Sequence, residues 1–177
     1  WLAERDPLTA LYNRRALEVR ATRLLQDVSK ARPGALLLID IDNFKLVNDL
    51  YGHTAGDRLL VSLSEMIRAV LPQGALAARL GGDEFVILLA DATSDATVAL
   101  GSGLRDRFHQ EALQAFPTPE AVTLSIGASL FDQPPANLAA LIEQGDAALY
   151  QSKRGGRNSI RLVDHTQANG EQQPGKA

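Results

Sequence analysis

The sequence predicts one domain of the α/β (α+β) sandwich class, in which a central sheet of about five mostly antiparallel strands is flanked by helices. Segments with apolar residues at helical spacing alternate along the chain with short apolar runs typical of strands. Two such runs, within 75–90, are joined by Gly81-Gly82, which is typical of an antiparallel hairpin. The length of 177 residues is enough for one domain with a substantial core.

The first half of the chain predicts two helices and a buried strand. Apolar residues at helical spacing predict an amphipathic helix within 10–31. The apolar run 34–40 ends on an acid, as expected for a buried central strand that reaches solvent. Thr54-x-x-Asp57 resembles a capping box, and it predicts the start of a second helix, which ends before Pro72.

The second half predicts the hairpin, two further helices and two further strands. A helix with weaker periodicity is expected within 94–113, because two glycines interrupt its pattern. Alternating apolar residues predict a strand at 121–131. Asn137 is expected to cap the last helix, and an edge strand follows the glycine-rich turn after it.

Composition and charge limit the possible classes of function. The net charge of −3 argues against a general electrostatic attraction to nucleic acid or to an anionic membrane. The absence of cysteine excludes disulfides, thiolate metal sites and cysteine nucleophiles, and it fits a reducing compartment. No apolar stretch is long enough to span a bilayer. We therefore expect a cytoplasmic domain with no nucleic-acid partner and no membrane contact of its own.

The two ends of the chain suggest a domain taken from a longer protein. Trp1 stands first without an initiator methionine, which suggests that an upstream part is missing. Residues 164–177 are polar and aperiodic and contain glycine and proline, so we expect a disordered tail there. The predicted domain is therefore 1–163.

Two pairs of acids stand where predicted strands meet solvent. Asp40 and Asp42 end the first central strand, and Asp83 and Glu84 follow the glycines of the hairpin. If the two strands are neighbours, these carboxylates converge, and converging carboxylates beside a phosphate are typical Mg²⁺ ligands. Asp42 could equally be a helix N-cap, and the acids of the hairpin could simply be solvated turn residues.

Basic residues could hold a phosphate near these acids. The segment 43–49 would place backbone amides and Lys45 beside them, and a helix N-terminus binds anions readily. Lys153 and Arg157 follow the last helix; taken alone, such residues are most often partners of the helix dipole. A Walker loop and a dinucleotide-binding glycine pattern are both absent.

Six short motifs, in order and with the family's spacings, resemble those of the GGDEF domains, whose active members are diguanylate cyclases. The resemblance extends from Asp6 to Asn158, and one departure, Ala10 where the family usually has glycine, is expected to matter little. The motifs are "DPLTALYNRR" (6–15), "DIDNFKLVND" (40–49), "GHTAGDRLL" (52–60), "RLGGDEF" (79–85), "SIG" (125–127) and "DAALYQSKRGGRN" (146–158).

The resemblance implies a palm-like nucleotidyl-cyclase fold and the condensation of two GTP into cyclic di-GMP and two pyrophosphates, with two Mg²⁺ or Mn²⁺ per active site. The implied metal ligands are Asp40, the Ile41 carbonyl, Asp83 and Glu84. The implied catalytic residues are Asp83, Glu84 and Lys45. The implied substrate-binding residues are Asn43, Phe44, Lys45, Asn48, Asp57, Lys153 and Arg157, of which Asn48 and Asp57 would contact guanine.

The resemblance also implies partners and one absence. Catalysis would need a homodimer, and a sensory or receiver domain would lie upstream. Many members carry an inhibitory product site of the form Arg-x-x-Asp; Pro72 and Ala75 stand at those positions, so this site is expected to be absent. Two alternatives remain: a non-catalytic module that binds GTP or a protein partner, and a palm domain acting on another nucleotide, which Asn48 and Asp57 disfavour.

Overall fold

The computed structural model of the protein describes residues 4–118 and 120–166. Within them, six strands form one mixed sheet with the order β1-β3-β4-β2-β5-β6, and five helices flank it. The elements are β1 (Tyr12–Asn13), α1 (Arg14–Gln26), β2 (Gly34–Asp42), α2 (Phe44–Tyr51), α3 (His53–Val70), β3 (Leu76–Gly81), β4 (Glu84–Leu89), α4 (Ser94–Ala115), β5 (Thr123–Phe131), α5 (Leu138–Arg154) and β6 (Ile160–Asp164).

The sheet is antiparallel at its centre and parallel at its edges. Strand β2 pairs antiparallel with both β4 and β5, and β3 pairs antiparallel with β4. The edge strands β1 and β6 pair parallel with β3 and β5. The predicted sandwich with a mostly antiparallel sheet is confirmed. The additional strand is β1, whose two residues are too few to show a periodic pattern.

Alternate residues of β2 face the two layers of helices. Leu37 and Ile39 pack in the core cluster that contains residues of α2, α3 and α4. Leu36 and Leu38 pack in the second cluster, with residues of α1 and α5. Because side chains alternate along a strand, the acids that continue the second series at the end of β2 face the α1/α5 side.

Helix α5 lies unusually close to the sheet. A Cβ atom on Gly127 of β5 would lie 2.2 Å from both the carbonyl oxygen of Gly145 and the amide nitrogen of Leu149. A Cβ atom on Gly145 would lie 2.8 Å from the side chain of Leu36. Position 127 requires glycine, because the clash there would be with backbone atoms, and this close packing brings the C-terminal end of α5, with Lys153, over the end of β2.

Helix α1 lies within its predicted segment, whereas the start of α3 differs from the sequence prediction. The helix predicted within 10–31 begins only at Arg14, because Asn13 caps it by accepting a hydrogen bond from the Ala16 amide. The capping box predicted at Thr54 is wrong: the N-cap of α3 is Gly52, two residues earlier, and its φ of 82° allows a sharp change of direction between α2 and α3. Asp42 is not an N-cap either, because Asn43 holds that position in α2.

The helices and strands predicted for the second half are confirmed. The hairpin, α4 and β5 lie where expected, and Asn137 caps α5 by accepting a hydrogen bond from the Ala140 amide. Asp164, the first residue of the predicted tail, ends β6, while 167–177 and Trp1 lie outside the described residues. None of the helices in the described part of the chain combines the length and the apolar character needed to cross a bilayer.

Candidate active site

A shallow pocket of about 260 Å³ lies where β2 ends, between the hairpin turn, the start of α2 and the end of α5. Two larger clefts beside α1, of about 420 and 570 Å³, contain none of the predicted site residues. The smaller pocket is lined by Asp40, Ile41, Asp42, Asn43, Phe44, Lys45, Asp83, Lys153 and Arg157.

The acids converge because β2 and β4 are neighbours. Asp40 lies directly opposite Glu84 in the antiparallel register, and Asp83 lines the same pocket as Asp40. Burial raises the pKa of Asp40 to about 6, the negative charges of Asp83 and Asp42 add to this effect, and Lys153 opposes it. The ammonium of Lys153 lies 2.9 Å from Asp40 Oδ2. Asp40 is therefore a buried carboxylate whose negative charge is only partly compensated.

The hairpin turn is held by Arg79, a residue to which the sequence interpretation assigned no role. Its Nε and Nη2 atoms donate hydrogen bonds to the carbonyl oxygen of Gly82, at 2.9 and 2.7 Å. Its Nη1 atom lies 3.2 Å from Asp6 Oδ1. Gly81 and Gly82 both have positive φ, at 148° and 51°, so the turn is a backbone conformation suited to glycine. A single arginine in an otherwise apolar run, two residues before the glycine pair, is the sequence signal that could have indicated this role.

Asp42 has a different environment from Asp40, although both acids face the same side of β2. It is 3% exposed, and it accepts hydrogen bonds from the hydroxyl groups of Thr123 and Ser125. The sequence interpretation named neither of these β5 residues as part of the site. Their signal is the small polar residues that alternate with apolar ones along β5.

The residues predicted to bind phosphate lie on two sides of the pocket. On one side, Phe44 and Lys45 form the first turn of α2, with Lys45 exposed. The side-chain amide of Asn43 donates to the carbonyl oxygen of Ala121 at 2.8 Å. On the other side stand Lys153 and Arg157, which α5 and the loop after it bring to the pocket.

The two residues predicted to contact guanine lie together but outside this pocket. Asn48, on α2, packs against Gly56 of α3, where a Cβ atom would lie 2.0 Å from Asn48 Oδ1. Asp57 follows Gly56 and is exposed. Within the described part of the chain, Asn48 Oδ1 is the one buried side-chain oxygen or nitrogen without a hydrogen-bond partner. A buried polar atom of this kind calls for a partner, and a bound ligand could supply it.

The sequence model of the family described as "Diguanylate cyclase, GGDEF domain" matches residues 3–159. The chain belongs to the GGDEF family. The predicted family is thereby confirmed. The palm-like fold expected for it agrees with a solved structure, the coiled coil and GGDEF domain of DgcB from Caulobacter crescentus in complex with c-di-GMP. That structure has a TM-score of 0.81 at 31% identity, over 91% of this chain and 86% of that chain.

Curated relatives of this GGDEF domain carry the name diguanylate cyclase. The chain is 38% identical over 164 residues to diguanylate cyclase TpbB from Pseudomonas aeruginosa, across 92% of this chain and 38% of the relative. It is 36% identical over 159 residues to diguanylate cyclase DosC from Escherichia coli, across 89% of this chain and 34% of the relative. The predicted class of enzyme agrees with these names, and the chain spans well under half the length of either relative.

GGDEF diguanylate cyclases generally use a divalent metal, and the donors in the pocket fit one. No group of three or more His, Cys, Asp or Glu side chains arranged for a metal ion is present in residues 4–118 and 120–166. The pocket instead offers the carboxylates of Asp40 and Asp83 and the backbone at Ile41. These are hard oxygen donors, and Mg²⁺ is commonly bound by one or two carboxylates together with substrate phosphates.

The positions of the family's inhibitory product site lie at the other end of β3 from the acidic turn. Pro72 and Ala75 form a turn before β3, in which the Ala75 amide donates to the Pro72 carbonyl oxygen at 3.1 Å. Pro72 is exposed and Ala75 is half-buried. Neither side chain carries a charge or a polar group.

Proposed function

We propose that this GGDEF domain is a diguanylate cyclase, which condenses two GTP molecules into cyclic di-GMP and releases two pyrophosphates. The observation that carries the proposal is the composition of one pocket. It brings Asp40 and Asp83 together with three basic residues, Lys45, Lys153 and Arg157, at the end of the central strand. Acids that can hold a cation and bases that can hold a triphosphate are the two requirements of phosphoryl transfer.

The metal would be held by Asp40, Asp83, Glu84 and the carbonyl group of Ile41. Two Mg²⁺ or Mn²⁺ ions bound there would lower the pKa of the attacking 3′-hydroxyl group and stabilise the charge that develops on the α-phosphate. The protein would contribute by holding the carboxylate groups in the positions that the metal requires. Asp40 is fixed by the sheet and Asp83 by the hairpin turn, so the carboxylates need little rearrangement to act together.

The triphosphate would be bound from both sides of the pocket. The amides of 43–45 at the start of α2, which include Asn43 and Phe44, face an anion favourably because of the helix dipole. Lys45 adds a positive charge on that side. Lys153 uses one of the three donors of its ammonium group on Asp40, and the others remain for phosphate oxygens.

Guanine would be selected by Asn48 and Asp57. The unpaired Oδ1 atom of Asn48 supports this role, and the exposed carboxylate of Asp57 can accept hydrogen bonds from the guanine N1–H and the exocyclic amine. Adenine offers no donor at N1, so ATP would leave the carboxylate unpaired, at a cost of about 1–3 kcal/mol. We infer a preference of at least about tenfold for GTP over ATP.

A homodimer would supply the second GTP molecule that the reaction needs. One domain would present one GTP, and the cyclic product needs two GTP molecules facing each other, which a two-fold axis between two copies provides. We infer that an upstream sensory or receiver domain, in a longer cytoplasmic protein, would bring the two copies together.

The test is incubation of the protein with GTP and Mg²⁺, or with ATP and Mg²⁺, followed by chromatographic separation of the products. We expect cyclic di-GMP from GTP alone. Asp83→Ala should reduce the rate by at least about a hundredfold while the thermal unfolding midpoint stays within a few degrees, because Asp83 is a partly exposed turn residue. Asp106→Ala, an exposed acid on α4, is the matched control and should keep full activity.

Two results would contradict the proposal. If GTP binds but no product forms at any protein concentration, the domain is the non-catalytic module of the alternative hypothesis. If Asp83→Ala stays within a few-fold of the unchanged protein, the acidic turn does not hold the metal.

A further inference from the structure

The carboxylate of Asp42 accepts hydrogen bonds from three groups of the protein itself. Thr123 Oγ1 donates to Oδ2 at 2.7 Å, and Ser125 Oγ lies 2.8 Å from Oδ1 and 2.9 Å from Oδ2. The backbone amide of Asn158 donates to Oδ2 at 3.2 Å, and Arg157 Nε lies 3.9 Å from Oδ1. A buried charge is tolerated when it is hydrogen-bonded and paired in this way.

The contrast with Asp40 separates the roles of the two acids. They are two residues apart on the same face of β2, yet Asp40 has one ion pair, with Lys153, whereas Asp42 accepts from two strand hydroxyls and a loop amide. An ionised carboxylate has about four lone-pair directions, and those of Asp42 are largely occupied. Asp40 is therefore free to bind a ligand, while Asp42 binds the protein.

The loop that Asp42 contacts has an unusual backbone. Gly156, Arg157 and Asn158 have φ values of 111°, 63° and 45°, so three consecutive residues adopt positive φ. Residues other than glycine adopt this conformation at a cost in free energy, and surrounding contacts must hold them there. Besides Asp42, the last turn of α5 contributes two contacts: the Ser152 carbonyl oxygen accepts from the Arg157 amide at 3.1 Å, and the Lys153 carbonyl oxygen accepts from the Gly156 amide at 3.4 Å.

The hydroxyl group of Ser152 gives the loop a second anchor. It donates to the carbonyl oxygen of Ser159 at 2.9 Å, and Ser152 is fully buried. The loop is therefore attached to α5 on one side and to the end of β2 on the other. The Asp42 contact joins it to β2 beside Asp40, and the Ile126 amide of β5 donates to the Ser159 carbonyl oxygen at 2.9 Å.

We propose that Asp42 is a positioning residue, whose buried carboxylate holds the strained loop 155–158 against the sheet so that Arg157 faces the nucleotide phosphates. Asp42 acts through its hydrogen bond to the Asn158 amide, next to Arg157 in the chain. It also acts through its negative charge, which attracts the guanidinium group of Arg157. The side chain of Arg157 is 57% exposed and keeps donors for a phosphate. This role rests on the proposed function, because it assigns the phosphates of GTP to Arg157.

The first test needs neither nucleotide nor metal. Amide hydrogen exchange is compared between the unchanged protein, Asp42→Asn and Ser125→Ala, which removes one donor to Asp42. We expect exchange at 157–159 to rise by at least about tenfold in Asp42→Asn and by less in Ser125→Ala. Ser129→Ala is the matched control, because its buried hydroxyl lies on the same face of β5 but bonds Gln144. It should leave this exchange unchanged.

The second test measures the affinity for guanosine α,β-methylene triphosphate by calorimetry, with Mg²⁺ present, in a double-mutant cycle with Arg157→Ala. Asp42→Asn should weaken binding about tenfold in the unchanged background and less than about threefold in the Arg157→Ala background. Ser125→Ala should also weaken binding, and it replaces Asp42→Asn in the double-mutant cycle if that variant does not fold.

Unchanged exchange at 157–159 in folded Asp42→Asn would overturn the proposal. So would an equal loss of affinity in both backgrounds, which would instead assign Asp42 to the metal. A failure of the proposed function has a different signature. In that case the exchange result holds and the protein forms no cyclic di-GMP.

Discussion

Arg79 binds Asp6, a residue that lies 73 positions earlier in the chain. Asp6 also accepts hydrogen bonds from the amide and the hydroxyl group of Thr9, at 2.9 and 2.7 Å. The same guanidinium donates twice to the carbonyl oxygen of Gly82. One side chain therefore connects the first turn of the domain with the turn that presents Asp83.

We predict that Arg79→Lys loosens the acidic turn, because an ammonium group cannot reproduce the planar set of donors. The free energy of unfolding should fall by about 1–3 kcal/mol, measured by urea denaturation. Diguanylate cyclase activity should fall at least about tenfold, because the proposed metal ligands Asp83 and Glu84 would no longer be held in place.

The matched control for this variant is Arg32→Lys. Arg32 also makes two hydrogen bonds, both 2.8 Å long, to the carboxylate of Asp91, but the side chains of this pair are 54% and 56% exposed. Its replacement should cost less than about 1 kcal/mol and leave activity unchanged. Equal losses of stability and activity in Arg79→Lys and Arg32→Lys would contradict the role of Arg79 in holding the acidic turn.

The stability of the domain should depend on Asp6 at acid pH. Burial raises the pKa of Asp6, but the hydrogen bonds from Thr9 and the charge of Arg79 outweigh it, so the pKa lies below its ordinary value of 3.8. A lowered carboxyl pKa stabilises the folded state above the unfolded pKa, and this contribution is lost as the pH falls through the folded pKa. Urea denaturation should therefore show that Asp6→Asn is less stable than the unchanged protein at pH 6–7, and that the difference shrinks below about pH 4. A difference that does not vary with pH would contradict the assignment.

Gly56→Ala should weaken nucleotide binding through Asn48. The added Cβ atom would lie 2.0 Å from Asn48 Oδ1, so the side-chain amide of Asn48 must move. We expect the affinity for the GTP analogue to fall about tenfold, measured by calorimetry. Gly103→Ala in α4 is the control, since no atom lies within 4 Å of its added Cβ. It should leave binding unchanged and stabilise the helix by up to about 1 kcal/mol. Equal affinities of Gly56→Ala and Gly103→Ala for the GTP analogue would show that Asn48 does not contribute to guanine binding.

Specific activity should rise with protein concentration, because the proposed reaction needs two copies to meet and join two GTP molecules. Fusion of a parallel coiled coil before Trp1 should raise the effective concentration of the second copy towards about a millimolar and make the specific activity independent of dilution. The measurement is the initial rate of cyclic di-GMP formation over a range of protein concentrations. A high, constant specific activity of the unfused chain at nanomolar protein would contradict this expectation.

Cyclic di-GMP should inhibit the domain only weakly, and by competition with GTP. Pro72 and Ala75 provide neither a guanidinium nor a carboxylate group to hold a guanine base and a phosphate. Initial rates with added product should therefore fit competitive inhibition. The double variant Pro72→Arg, Ala75→Asp should gain non-competitive inhibition. Strong non-competitive inhibition of the unchanged protein would mean that another surface binds the product.

The elements that the sequence predicted correctly are those with local causes. The hairpin depends on Gly81-Gly82 between two apolar runs, and α5 begins after Asn137, whose side chain caps its own first turn. The convergence of the two acid pairs also follows from the sequence on the condition that the strands that carry them are neighbours, as β2 and β4 are. The family motifs then led from these residues to the expected chemistry.

The roles of Asp42 and Arg79 depended on the tertiary structure. From the sequence, Asp42 could have been a helix cap or a metal ligand, because its own neighbours in the chain allow both. Its partners Thr123 and Ser125 lie 81 and 83 residues away and reach it only through the pairing of β2 with β5. A periodic pattern shows which face of a strand is buried, but the groups that meet a buried charge are determined by which strands and loops pack against that face.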